Sequence, residues 1–250
     1  MISRRTDNKL EAVIFDVDGT LVDSERDGHR LAFNLAFEAA GLRDRWDVPT
    51  YGRLLEIAGG LRRLTYWLER TGRPVDEAHQ RAADLHEKKT QIMRDLVING
   101  CIPPRPGARR LVADVAASGA AIHVATTGHR AWVEPLLHQV FGRLFDVVIT
   151  GSEIRDLKPS PAVYQAVVKR AGCDPARTVV VEDSGIGLRA ATAAGLRCVV
   201  ASNDYTRQHD FNGAALLVDS VDDPALVAWF ASRLPPIGET APRRSGLVSG

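Results

Sequence analysis

Short runs of apolar, β-branched residues, several of them ending abruptly in polar residues, constrain this chain more than any other feature. The first is Ala12-Val-Ile-Phe15, which stops at Asp16. Others cover residues 121–125 before Thr126, 145–150, 178–181 before Glu182-Asp183, and 197–200, with a sixth at 215–218. Runs this short and this uniformly apolar read as strands buried on both faces. Helical patterns separate them at residues 108–117, 131–140, 161–171 and 188–194. Strand–helix alternation predicts an α/β fold, a doubly wound parallel sheet with helices on both sides.

One stretch breaks the alternation. Residues 24–105 hold helix formers and charges in segments 31–40, 61–70 and 76–96, without a convincing strand. They read as an all-helical insert after the first strand, closed by the return linker Pro103-Pro104-Arg105-Pro106-Gly107. The predicted organisation is a core of residues 1–23 and 106–234, a helical domain of 24–105, and a disordered tail of 235–250, rich in Pro, Gly and Ser.

Composition narrows the function classes. Lys and Arg number 32 against 31 Asp and Glu, so no global field draws nucleic acid or an anionic membrane. The first apolar run is too short for a signal peptide or membrane span. Three scattered cysteines, Cys101, Cys173 and Cys198, offer neither a zinc spacing nor a disulfide framework. A cytoplasmic monomer without nucleic-acid or membrane partners is the expectation.

The strand ends carry the chemistry. They present Asp16-Val17-Asp18-Gly19-Thr20, Thr126-Thr127-Gly128, Lys158-Pro159 after the third strand, and Glu182-Asp183-Ser184-Gly185. In open parallel sheets, ligands sit at the carboxyl ends of the strands, so four clusters converge on one place. Asp16 and Asp183, with the backbone carbonyl of Asp18, form an oxygen-only nest suited to Mg²⁺. Glu182 is either a further ligand or a supporting neighbour. Asp16 is placed to attack phosphorus and form an aspartyl-phosphate, while Asp18 protonates the leaving oxygen and later takes a proton from water. Thr126 donates a hydroxyl to phosphate, and Lys158 supplies positive charge.

In order and spacing these four clusters resemble the motifs of the haloacid dehalogenase-like (HAD) phosphohydrolases, over about residues 11–220. Asp18 matches the phosphatase and phosphomutase branches; dehalogenases lack it. Finer features resemble the CbbY subgroup, near β-phosphoglucomutase: Asp23-Ser24-Glu25 through Arg30, Trp46-Asp47, Tyr51, Gly59-Gly60 with Arg62-Arg63, His86 with Lys89, Arg105-Pro-Gly107 and Tyr205-Thr-Arg207. The resemblance implies a Rossmann-like HAD core, with the insert as a mobile cap. It implies that Glu25, Gly59, Gly60, Arg63, His86 and Lys89 hold the sugar and a second phosphate, joined by Thr127 and Gly128 of the core. Glu25 and His29 stand at helical spacing, compatible with substrate contact or a surface pair. The implied substrate is a small phosphorylated metabolite, for the subgroup xylulose-1,5-bisphosphate. Leu61 departs from the subgroup pattern, which has Lys after the glycine pair. A phosphomutase, a phosphoglycolate phosphatase and a non-enzymatic phosphometabolite-binding protein are the alternatives.

Overall fold

The computed structural model describes residues 9–236. Six strands form one parallel sheet: β1 (Ala12–Phe15), β2 (Ala121–Ala125), β3 (Val147–Ile149), β4 (Thr178–Glu182), β5 (Arg197–Ala201) and β6 (Leu216–Val218). Their spatial order is β3-β2-β1-β4-β5-β6, so the direction of winding reverses at β1. Every residue of β1 and β4 is buried, which is why these strands are continuously apolar instead of alternating.

Successive side chains divide between two cores. Val13, Phe15, Val124 and Val181 join α5 (Ala108–Ala117), α6 (Arg130–Phe141) and α9 (Pro224–Arg233) through Leu111, Trp132 and Phe230. Ile14, Ala125, Val180 and Val200 join α7 (Ala162–Ala171) and α8 (Gly185–Ala193) through Val163, Tyr164 and Leu188. The doubly wound reading of the sequence is correct.

Between β1 and α5 the chain forms α1 (Arg30–Ala39), α2 (Val48–Leu54), α3 (Gly60–Arg70) and α4 (Val75–Ile98), entered through a π-helical turn at Glu25–His29. These helices pack a core of their own around Phe33, Phe37, Trp46, Tyr51, Leu64, Leu68 and Leu85. The lower end of α4 instead reaches the first sheet core through Met93 and Val97. Where the chain crosses between the two bodies, its outgoing and returning threads pair. Val22 bridges Pro104, Asp23 N donates to Pro103 O at 3.1 Å, and Arg105 N donates to Leu21 O at 3.0 Å. Among the described residues, no helix is long and apolar enough to cross a membrane.

Several boundaries differ from expectation. β3 is shorter than the predicted 145–150, because the Asp146 carboxylate turns back to accept from Ile122 N at 3.1 Å. α8 starts three residues before the expected 188, because Ser184 accepts from Gly187 N and caps it. α2, capped by Asp47 with Pro49 in its first turn, and α9 were not predicted. The tail expected at 235–250 lies, from residue 237 onward, outside the described residues.

Candidate active site

β1 pairs with both neighbours in one-to-one register, Phe15 opposite Val124 and Val181. One residue further on, Asp16, Ala125 and Glu182 come level at the point where the winding reverses, the usual place for a ligand in such sheets. Lys158, from the loop after β3, closes this point. Its ammonium donates to Asp16 Oδ1 at 2.6 Å, Glu182 Oε1 at 2.7 Å and Ala125 O at 3.0 Å. The Lys158–Pro159 peptide is cis. Tyr164 of α7 donates to Glu182 Oε1 at 2.6 Å, and its ring lies 4.8 Å from the ammonium. Glu182 Oε2 accepts from Asp183 N, Ser184 N and Ser184 Oγ, so both its oxygens are engaged. Gly187 makes room for this carboxylate: a Cβ there would lie 1.9 Å from it.

The expected metal set of Asp16, Asp18, Glu182 and Asp183 divides in two. Carboxylate oxygens of Asp16, Glu182 and Asp183 lie within 4.8 Å of one another, and all three residues are buried. Asp18 belongs to a different trio, with Glu25 and His29. Its side chain is held there by Ser24 Oγ and by His29 Nε2 at 2.8 Å, so any part it has in a metal site is its backbone carbonyl's.

Charge explains what the first trio lacks. Burial, with the repulsion of Glu182 and Asp18, holds the Asp16 carboxyl well above its usual range despite Lys158. Burial, then Glu182 and Asp16, does the same to Asp183. Burial also opposes ionisation of Glu182, but Lys158 and its other donors outweigh it and keep that carboxyl low. Likewise burial opposes the Lys158 charge, and Asp16 and Glu182 outweigh it, raising the ammonium's pKa. Three clustered carboxyl groups share one ammonium, so all three can ionise together only if further positive charge arrives, and their donor set is oxygen only. That combination fits a hard divalent cation.

The second trio is built differently. Lys89 Nζ lies 2.8 Å from His29 Nδ1. An ammonium only donates, so His29 Nδ1 accepts and its Nε2–H points to Asp18. Burial would raise the Asp18 carboxyl, but His29, Ser24 and Lys89 outweigh it and hold it low.

A cavity of about 390 Å³ joins the two trios. It is lined by Asp16, Asp18, Lys158, Glu182, Asp183, Thr127 and Gly128 from the core, and by Glu25, Gly59, Gly60, Arg63, His86 and Lys89 from the insert. All but one of the site residues read from the sequence therefore face one space. The exception is Thr126, which is buried beneath the lining; its Oγ1 accepts from Gly128 N at 2.9 Å and shapes the loop that carries Thr127 and Gly128. Gly128 itself could carry no Cβ, which would lie 2.4 Å from the Trp132 ring.

In the insert, Tyr51 donates its hydroxyl to Glu25. Arg63 donates from Nε to Ile57 O at 2.8 Å and from Nη1 to the Tyr51 hydroxyl at 3.4 Å. Gly59 precedes α3 at φ +89°, a backbone a side chain would strain. Burial, with the neighbouring Lys89 charge, lowers the His86 pKa to about 4, so this ring is neutral at physiological pH. Burial likewise lowers Lys89 to about 8, against the pull of Asp18 and Glu25. The sequence reading missed Asn203, Tyr205 and Thr206 as lining residues. The signal was available: they follow β5 at its carboxyl end, like every other core cluster of the site.

Compared with known proteins, residues 10–195 match the haloacid dehalogenase-like hydrolases, and the chain belongs to that family. It is an enzyme with the two-aspartate motif of the family's phosphatases. Among individual proteins it resembles protein CbbY of Cereibacter sphaeroides, 40% identical over 84% of this chain and 92% of that one. It is also similar to the CBBY-like protein of Arabidopsis thaliana, 38% identical over 85% of this chain and 70% of the relative. The crystal structure of CbbY from Rhodobacter sphaeroides in complex with phosphate superposes with a TM-score of 0.78 at 40% identity, covering 86% of this chain and 96% of that one. A mutant of that CbbY was solved in complex with xylulose-(1,5)bisphosphate, with the same TM-score and 39% identity.

Proposed function

We propose that this chain is a Mg²⁺-dependent phosphatase that hydrolyses a sugar bisphosphate of the xylulose-1,5-bisphosphate type, through an aspartyl-phosphate on Asp16. The observation that carries the reading is the buried Asp16–Lys158–Glu182–Asp183 cluster opening on the same cavity as Glu25, Arg63, His86 and Lys89. The complex of the CbbY relative with xylulose-(1,5)bisphosphate supports the choice of substrate.

Asp16 attacks phosphorus in line, forming its O–P bond as the bond to the sugar oxygen breaks. Lys158 holds the nucleophile by Oδ1, Glu182 holds Lys158, and the Tyr164 hydroxyl holds Glu182. A divalent cation bound by Asp16 and Asp183 would neutralise phosphate charge, letting an anionic nucleophile approach an anionic substrate. Asp18 hands its proton to the leaving sugar oxygen, then removes one from the water that cleaves the aspartyl-phosphate. Its low pKa in the resting site suits the second role; an incoming phosphate dianion, a like charge, raises its proton affinity for the first. Residues 24–105 act as a cap, with Arg63 and Lys89 as the cations for the second phosphate and Glu25 and the neutral His86 as hydrogen-bonding groups for the sugar.

A phosphate-release screen over sugar mono- and bisphosphates, with phosphoglycolate included, tests this. Xylulose-1,5-bisphosphate is expected to give the highest kcat/KM, with phosphate appearing without any bisphosphate primer. If no substrate in the panel releases phosphate in the presence of Mg²⁺, the reading is wrong.

A further inference from the structure

Asp183 is a buried carboxyl group with those of Asp16 and Glu182 within 4.8 Å of it. Such a group keeps a defined orientation only if a donor fixes it. The donor is Asn203, two residues past the end of β5, whose Nδ2 lies 2.7 Å from Asp183 Oδ2. The rest of this residue's polar groups are already committed. Asn203 Oδ1 accepts from Tyr205 N at 2.9 Å, and Asn203 N donates to Thr206 Oγ1 at 3.0 Å. Since a backbone N–H claims the amide oxygen, the NH₂ end faces Asp183, and the orientation of the amide follows from its partners. The same NH₂ lies 3.4 Å from Gly19 O, which also accepts from buried Arg105 Nη1 at 2.6 Å. Gly19 leaves the space for this contact: a Cβ on it would lie 2.4 Å from Asp183 Oδ2 and 2.9 Å from Asn203 Nδ2.

We propose that Asn203 is a positioning residue for cation binding, clamping one oxygen of Asp183 so that the other is presented to the ion in a fixed direction. The inference rests on the reading of Asp183 as a cation ligand. Removing partners of this kind typically weakens metal binding about 10–100-fold.

Calorimetric titration of the full chain with Mg²⁺, without substrate, tests it on the parent and on Asn203→Ala, Asn203→Ser and Asp183→Asn. Serine is the informative variant, because its hydroxyl can still accept from Tyr205 N and keep the turn, yet is too short to reach Asp183. Asp183→Asn should lose binding, and both Asn203 variants should bind about tenfold or more weakly, with the serine variant keeping the parent melting temperature. Parent-like affinity in Asn203→Ser overturns the inference while leaving Asp183 as a ligand. An affinity loss that merely tracks a lower melting temperature in both variants also overturns it, reducing Asn203 to a fold-holding role. Parent-like binding by Asp183→Asn would instead remove the cation reading on which the inference stands.

Discussion

Two aspartates two positions apart in sequence occupy opposite electrostatic worlds. Asp16 shares one ammonium with Glu182 and is short of positive charge, whereas Asp18 faces His29, Ser24 and the charge of Lys89. Their places in the chain explain the split: Asp16 directly follows β1, between β2 and β4, whereas the Asp18 side chain is held by Ser24 and His29 of the insert. The replacement Asp16→Asn keeps shape and removes the nucleophile. It should lower kcat by more than about 10³-fold, as losses of catalytic nucleophiles do, with an unchanged circular dichroism spectrum. Activity within about tenfold of the parent would exclude Asp16 from that role. Lys89 sets a pH limit. Its folded pKa of about 8 lies below the ordinary lysine value, so its charge is present at neutral pH and is lost as pH rises through 8. The kcat/KM for the bisphosphate should therefore fall above pH 8 in the parent. In Lys89→Arg, whose charge persists, the profile should stay flat into the alkaline range; an identical fall in both would take Lys89 out of phosphate binding.

Elements reach the site through tight passages, and these are where small substitutions cost most. At Gly187, in the first turn of α8, an added methyl would sit 1.9 Å from the Glu182 carboxylate. Gly187→Ala should destabilise the fold by about 1–3 kcal/mol, the usual range for overpacking, measured by denaturant unfolding. It should also lower kcat, since Glu182 carries Lys158. The strands were legible in the sequence because burial on both faces leaves no polar residue in Val179, Val180 and Val181 or in Val13 and Ile14. The helices fared less evenly. α2 is seven residues long with few apolar positions, too short for periodicity to declare, and only its Asp47 cap hinted at it. α8 begins with Gly185 and Gly187, which add no apolar side chain to the helical pattern, so the pattern shows only from Leu188 although Ser184 caps the helix. Strand-end polarity made most of the core site readable. The Tyr51–Glu25–Arg63 contacts and the place of Asn203 were not, because they join residues up to 184 positions apart through the packing of separate bodies.

For the whole molecule, the proposed reaction depends on a cation from outside the chain, for which the buried carboxyl trio offers a place. EDTA should abolish phosphate release and Mg²⁺ should restore it, while the melting temperature should rise with Mg²⁺ concentration because the ion binds the folded form preferentially. Turnover that survives EDTA would break the link between the carboxylate trio and the reaction. The fold separates two duties. A rigid sheet, buried on both faces, aligns Asp16 with Lys158 and Glu182, and the insert, with a core of its own, brings Arg63, His86 and Lys89 over them.

Because Val22 and Pro104 lie side by side, the insert leaves and rejoins the sheet body at a single doorway. Everything between those two residues could be exchanged for another module without rerouting any strand beneath it. Such a graft would spare Asp16, Lys158 and Glu182 but would carry away Ser24, His29 and Lys89, which set the state of Asp18, so an exchanged module should keep the reaction only if it brings equivalents of those three.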